Sequence, residues 1–448
     1  MLEREYRKSS YIIFVKVKKD TFILLHGYSG AIDVLCSDIA NKLMNNNVLK
    51  EDMFDVSDFQ KLRKRGYITT LSEKEEREYV RRLAVALHKK DRLLCSFFTF
   101  VITYNCNFRC PYCFEQSTVN KILRKQTMSY DCVDKAFCVM EDLQKGKLTR
   151  SKNIALFGGE PLLKENFQLI NYIVEKGIKN GYKFFAVTNG YDLDSFEPLL
   201  APDKIFSVQI TIDGMENLHD SKRIHYQGFP TFFKIVSNIK LALGKGLFVT
   251  VRFNTDRNNI GQLEELKEYF DSLGFSKNKK FSIDSARLVN YDHKLDSVQQ
   301  QLFTQKEFIK KHDLMNFEYG CHDYHTYDKI YYSIKNRQPL PFKATFCSSQ
   351  TSGYVFDPLY NIYPCWEVVG KKEHRIGKFN DGTVCWDKDI LTRWESTDVS
   401  SFIECSSCKY ALLCGGGCLA HNLNKHYCVQ MGDLIKSAIQ KAYINKCF

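Results

Sequence analysis

The chain has 448 residues, 44% of them hydrophobic and 26% charged, a balance that argues against a disordered or membrane-embedded protein and leaves room for roughly two to four domains. Its 64 basic and 52 acidic residues give a formal charge of +12, spread along the chain and not gathered into a tail. This reads as a solvated basic surface that can attract an acidic peptide; no nucleic-acid motif is recognised. The opening MLEREYRKSS is too charged for a secretory signal and the apolar run from Tyr11 to Val15 is too short to span a bilayer, so a cytoplasmic protein with no membrane or nucleic-acid partner is expected.

Residues 1–95 open with YIIFVKV and TFILLHGYSG, two β-rich runs that predict a hairpin turning at Lys19 and Asp20. Two short helices are expected next, in VLCSDIANKLM and in VSDFQKLRKRG, the second with Ser57 as N-cap and Gly66 as C-cap. A longer connecting helix follows Ser72, which has Glu75 three residues on at the capping-box spacing and apolar positions Val80, Leu83, Ala84 and Leu87.

From Leu94 to about Asn290, strand-like runs alternate with helical patterns: FFTFVITY, NIALFGG, FFAVTNG, SVQITIDG, FVTVRFN and FSIDSARLV. Six strands separated by helices predict an α/β protein with a parallel sheet curved into a partial (β/α)6 TIM-like barrel, with ligands at the C-terminal ends of the strands. The expected barrel spans 96–310, a bridging segment 311–346 contains Pro339 and Pro341, and residues 347–448 are expected to fold around metal and not around a large apolar core.

Seventeen cysteines in a chain without an export signal read as metal ligands before they read as disulfides. Cys36, Cys95, Cys132 and Cys138 stand apart and are expected to be small buried apolar residues. TYNCNFRCPYCFEQ places Cys106, Cys110 and Cys113 directly after a strand. Three thiolates on one loop can hold three irons of a cubane and leave the fourth open, whereas structural zinc wants four ligands. Further along, Gly158, Gly159, Glu160 and Pro161 end the next strand, Thr188 and Asn189 the third, Asp213 the fourth, and Arg252 and Asn254 the fifth. Glycines permit close approach of the backbone to a ligand, and Glu160 can accept from an ammonium group.

The three-cysteine spacing and the ordered motifs behind it resemble the radical SAM superfamily over roughly residues 97–290. The resemblance implies a [4Fe-4S] cluster whose open iron chelates the amino and carboxylate groups of S-adenosyl-L-methionine. One electron then cleaves the sulfonium and yields a 5′-deoxyadenosyl radical, so a one-electron donor such as a flavodoxin or ferredoxin is an implied partner. It also implies that Tyr112 packs near the adenine and that the Gly158 to Pro161 motif contacts the methionine amino group. Thr188, Asn189, Asp213, Arg252 and Asn254 become candidates for the ribose and the methionine carboxylate, with Arg252 suited to a bidentate contact.

The C-terminal run Cys405, Cys408, Cys414, Cys418 and Cys428, preceded by Cys347 and by Cys365 in NIYPC, is similar to the SPASM extension of radical SAM enzymes, which carries two auxiliary iron-sulfur clusters; a zinc ribbon is the alternative. Carried over, Cys405, Cys408, Cys414 and Cys428 hold the distal cluster, and Cys347, Cys365 and Cys418 the proximal one. Its fourth ligand is Cys321, Cys385 or an open position, and Cys447 is left free. Tyr360 stands where the family carries a Gly before the YPC turn. Trp366 stands where sulfatase-maturing members carry a basic-acting acid, with Glu367 one position on.

SPASM proteins act mainly on peptides, and the expected hairpin followed by short helices resembles the leader-peptide recognition element, a winged-helix-like fold. With 19 basic and 14 acidic residues, residues 1–95 would attract an acidic leader. The sequence therefore predicts a maturase of a ribosomally made precursor peptide with a leader, forming a thioether or carbon-carbon crosslink. Formylglycine formation in sulfatases, or another peptide oxidation, is the second reading. A DNA-binding metalloregulator is a third class, which leaves the barrel and the three-cysteine loop unexplained.

Overall fold

The structure, a computed structural model, describes residues 5–117, 122–289, 300–314, 320–321, 326–421 and 428–448. Near the N-terminus β1 (Tyr6–Lys8) is followed by β2 (Ile12–Lys18) and β3 (Thr21–His26), which pair antiparallel across the turn at Lys19 and Asp20. The next run departs from expectation. Ile32–Cys36 is a third strand, β4, paired with β3 from Thr21↔Cys36 to Leu25↔Ile32, so helix α1 (Ser37–Asn45) starts only after it. The free edge of β3 takes Val34 and Leu35 out of the helix, a tertiary pairing that overrides local pattern.

Short strands β5 (Val48–Leu49) and β6 (Ile68–Thr69) flank β1. Helix α2 (Val56–Lys64) is preceded by Asp55 and not capped by Ser57; Gly66, at φ +87°, closes it as expected. Helix α3 (Glu73–Leu94) has its capping box: Ser72 Oγ accepts from the Glu75 amide at 3.3 Å and Glu75 accepts from the Ser72 amide at 2.8 Å.

The six expected barrel strands are β7 (Phe97–Thr103), β8 (Asn153–Gly158), β9 (Lys183–Thr188), β10 (Ile205–Thr211), β11 (Phe248–Thr255) and β12 (Phe281–Arg287), each parallel to the next. They are joined through α4 (Tyr130–Gln144), α5 (Phe167–Lys179), α6 (Glu216–Lys222), α7 (Phe232–Gly244) and α8 (Gln262–Ser272). Residue 290, the expected end of this alternation, lies outside the described residues. Phe100 packs edge-on against Phe137 of α4 at 5.5 Å, so Phe98, Phe100 and Ile102 face the helices. Their neighbours Thr99, Val101 and Thr103 face the lumen. The registers Val101↔Phe157, Gln209↔Thr250 and Arg252↔Asp284 carry that inner face round the sheet.

After α9 (Gln305–Leu314), strand β13 (Gly320–Cys321) joins β12, and α10 (Thr326–Lys335) follows. On the other flank β14 (Gly353–Phe356) runs parallel to β7 and continues as an antiparallel meander through β15 (Asn361–Tyr363), β16 (Gly377–Lys378) and β17 (Cys385–Trp386). Helices α11 (Lys388–Glu395), α12 (Ile403–Ser406), α13 (Ala411–Cys414) and α14 (Met431–Ile444) complete the chain.

The expectation of a C-terminal region with little apolar core needs correction. Phe356, Ile362 and Trp394 join the barrel core, while Leu434, Ile435, Ala438 and Ile439 of α14 pack with Ile13, Val15, Ile23 and Leu25 of the N-terminal sheet. Two further contacts seat that sheet on the segment bearing Cys405 and Cys408. Tyr11 Oη donates to the Ser406 carbonyl at 2.7 Å, and a Cβ on Gly27 would meet the Lys409 carbonyl at 2.2 Å.

Of the four isolated cysteines only Cys132 is buried. Cys36 and Cys138 are exposed and Cys95 is half-buried, because Cys36 ends the outer strand β4 and Cys138 falls on the outer face of α4, whose buried stripe is Val133, Phe137 and Met140. Among the described residues no helix is long and apolar enough to cross a membrane.

Candidate functional site

The loop carrying Cys106, Cys110 and Cys113 leaves the C-terminal end of β7. Its path is fixed from several sides. Arg109 Nη1 donates to the carbonyls of Cys106 at 2.6 Å and Phe108 at 2.7 Å, the Arg109 amide donates to the Ile224 carbonyl at 2.7 Å, and the Phe108 amide points at Cys106 Sγ at 3.3 Å. Burial pushes all three thiols up. At Cys106 the Glu160 carboxylate and the other two thiols add to it; Cys113 rises to about 11; at Cys110 the Arg223 guanidinium pulls the other way.

The Gly158–Gly159 pair has a physical reason within the fold itself. A Cβ on Gly158 would lie 2.3 Å from the Thr103 carbonyl, and one on Gly159 2.4 Å from that of Asn105. The close approach is therefore to the backbone leading into the cysteine loop. The Gly159 amide donates to Thr103 and that of Glu160 to Asn105, at 2.9 and 2.8 Å, which ties the end of β8 to the three-thiol loop.

Glu160 is buried, with burial raising its carboxyl to about 7. It accepts from Thr188 Oγ1 at 2.6 Å and from the amides of Asn189 at 2.6 Å and Leu162 at 2.9 Å. A carboxylate offers about four lone-pair sites, so these three donors leave room for one more. Asn189 Nδ2 reaches Asn107 Oδ1 at 2.6 Å, within the cysteine loop. Thus Glu160, Thr188 and Asn189 form one network, with Pro161 heading the turn that follows.

A second network joins Tyr112, Asp213 and Asn254. The Tyr112 hydroxyl donates to Asp213, whose other oxygen accepts from the Asn254 amide at 3.2 Å; Arg252 Nε donates to Asn254 Oδ1 at 2.9 Å. Two participants were missed by sequence reasoning. Arg223 is buried, with Nη1 3.3 Å from the Tyr112 hydroxyl and its guanidinium over the Phe108 ring at 5.3 Å. Asn259 Nδ2 donates to the carbonyls of Asp213 at 3.0 Å and Asn254 at 2.7 Å. Neither lies at a strand end: Arg223 follows α6 and Asn259 stands in the turn between β11 and α8.

The C-terminal thiols fall into two neighbourhoods. Cys365 and Cys418 are pushed up by burial, then by Glu367 and by Cys347, with Cys365 also feeling Cys418. Cys405 is pushed up by burial and by Cys414, Cys408 and Cys428, and Cys428 acts likewise on Cys408 and Cys414. Lys343 feels both Cys414 and Cys347 and so sits between the sets. Glu367 is 3.7 Å from His421. Cys385 lies exposed on β17, and the side chain of Cys321 lies outside the described residues. Tyr360 has a φ of 58°, a left-handed conformation that Gly adopts without strain and that a Tyr side chain disfavours.

Among the described residues no three His, Cys, Asp or Glu side chains converge on a single ion position. The donor sets fit clusters on chemical grounds: three thiols on one loop, then three and four in separate neighbourhoods, are soft ligands that several irons can take one apiece.

Residues 100–270 match the model of the Radical SAM superfamily. The chain is 21% identical over 328 residues to a cysteine-type anaerobic sulfatase-maturating enzyme of Clostridium novyi, covering 70% of this chain and 85% of that protein. The fold resembles native anSMEcpe with bound AdoMet and Cp18Cys peptide at a TM-score of 0.59 and 19% identity, over 79% of this chain and 99% of that one. It also resembles Streptococcus suis SuiB bound to S-adenosylmethionine at a TM-score of 0.50 and 16% identity, over 92% of this chain and 96% of that one.

Proposed function

The chain carries a radical SAM domain over residues 100–270, and from that premise we propose that it is a peptide-modifying radical SAM enzyme, a maturase of a ribosomally made precursor. The observation that carries the reading is the convergence, at the C-terminal end of one parallel sheet, of the Cys106, Cys110, Cys113 loop with the Glu160 and Asp213 networks. In this reading those three thiolates hold the [4Fe-4S] cluster. When bound, it supplies the electron that splits S-adenosyl-L-methionine and so generates the hydrogen-abstracting radical.

The chain's own residues supply binding and orientation. Glu160, with one acceptor site to spare, faces a ligand ammonium; the Tyr112 to Asp213 bond lies where an adenosine would pack; Arg252, beside Asn254 on the lumen face, suits a carboxylate. Cys405, Cys408, Cys414 and Cys428 would hold a distal auxiliary cluster. Cys347, Cys365 and Cys418 would hold a proximal one, with Cys321, Cys385 or an open position as its fourth ligand. The N-terminal sheet and helices are suited to leader binding by strand addition, and the electron would come from a flavodoxin or ferredoxin.

Several relatives are named sulfatase-maturating enzymes, which keeps formylglycine formation as the second reading. Trp366 occupies the place of the expected acid and cannot take up a proton, which favours crosslinking. The test is anoxic reconstitution with S-adenosyl-L-methionine and reductant. 5′-Deoxyadenosine should form and should vanish in Cys106→Ala, Cys110→Ala and Cys113→Ala. Short peptides encoded beside the gene should lose two hydrogens per crosslink, whereas a sulfatase-derived cysteine peptide converted to the aldehyde would select the second reading. Cluster-replete protein that makes no nucleoside sinks both.

A further inference from the structure

Trp366 directly follows Cys365 and lies on Phe157, the residue directly before Gly158, with ring centroids 5.1 Å apart and planes 21° from parallel. Phe157 pairs in register with Val101. Since Phe100 beside it turns outward onto α4, Phe157 belongs to the inner wall of the barrel, and the indole stacked on it stands inside the lumen. Phe157 is only 7% exposed whereas Trp366 is 40% exposed, so the indole keeps open surface while Phe157 covers one of its faces.

Further round the inner wall lie polar side chains, Gln209 on β10 and, two residues along in the next strand's register, Arg252 on β11 paired with Asp284 on β12. Trp394, by contrast, is fully buried, and Trp386 lies on the outlying strand β17. A large apolar ring left partly open to solvent costs free energy that a stacked ligand removes.

We propose that Trp366 is a positioning residue, the platform on which an aromatic or apolar side chain of the peptide is laid between the Cys106 loop and the Cys347, Cys365, Cys418 set. The inference rests on the peptide-maturase reading and deepens it by naming the substrate side chain. An indole neither accepts nor donates a proton to carbon at neutral pH, so its contribution is geometric: it fixes which hydrogen of the peptide faces the radical source.

The test uses anoxically reconstituted, S-adenosyl-L-methionine-loaded enzyme and three blocked tripeptides, acetyl-Ala-Trp-Ala-amide, acetyl-Ala-Leu-Ala-amide and acetyl-Ala-Asp-Ala-amide, followed by saturation-transfer NMR. The Trp and Leu probes should receive saturation on their side-chain protons and the Asp probe none. Trp366→Ala, at unchanged iron and sulfide content, should weaken the Trp probe about 3- to 10-fold, the worth of an aromatic pair, and Trp366→Phe should restore most of it. Equal binding by Trp366→Ala, no rescue by Trp366→Phe, or equal binding of the Asp probe overturns the proposal. With a precursor that is turned over, Trp366→Ala should raise the peptide KM and the 5′-deoxyadenosine formed per modified peptide. If no peptide is modified while probe binding still depends on the indole, the maturase reading falls and the platform stands.

Discussion

His26 is fully buried in the N-terminal sheet, its Nε2 3.0 Å from Ser9 Oγ and its Nδ1 accepting from the Ser29 amide at 3.2 Å. Burial holds its imidazole down, from the usual 6.5 to about 4, against the pull of Glu76. A base depressed in the folded state leaves stability intact above about pH 6.5; the unfolded chain then takes up the proton first, and stability falls as pH drops towards 4. Thermal unfolding of His26→Asn should lack this slope, a difference of about 1 kcal/mol between pH 7.5 and 5.5. At the same scale, the cysteine positions of the site were legible because thiolate spacing is local chemistry. Arg223 and Asn259 were not, since their roles arise only when α6 and the turn after β11 close over Tyr112 and Asp213.

Helix α3 links the N-terminal unit to the barrel, and its start was fully readable: Ser72 and Glu75 satisfy each other's backbone donors. Ser72→Ala should cost about 1 kcal/mol, measurable by denaturant unfolding. The junction of β7 and β8 is less forgiving. Gly159→Ala puts a methyl group 2.4 Å from the Asn105 carbonyl and 2.7 Å from that of Tyr104, so the loop bearing Cys106 must move. Iron bound at that loop, read by EPR of the reduced protein, should fall while the C-terminal iron stays. The sequence pattern revealed the six strands because each alternates with a helix. It hid β4, because five residues next to a free strand edge carry no periodic signal long enough to outweigh the helix pattern behind them.

Across the whole molecule, the first and last thirds touch. Tyr11 bonds the Ser406 carbonyl between Cys405 and Cys408, and Gly27 abuts Lys409. Tyr11→Phe combined with Gly27→Ala should speed amide exchange over residues 12–36 without changing 5′-deoxyadenosine formation. Such contacts over long sequence separation were beyond sequence reading, as was the apolar seat that α14 provides for the N-terminal sheet.

One pairing reaches further, into how the protein is made. Strand β14 lies beside β7, with Gly353 opposite Phe97, so on the ribosome the first barrel strand waits for a neighbour about 250 residues away. At about 5–20 residues per second that is roughly ten to fifty seconds with an uncovered backbone edge. Fragments that stop short of β14 should therefore self-associate, and slower translation should lower the soluble yield.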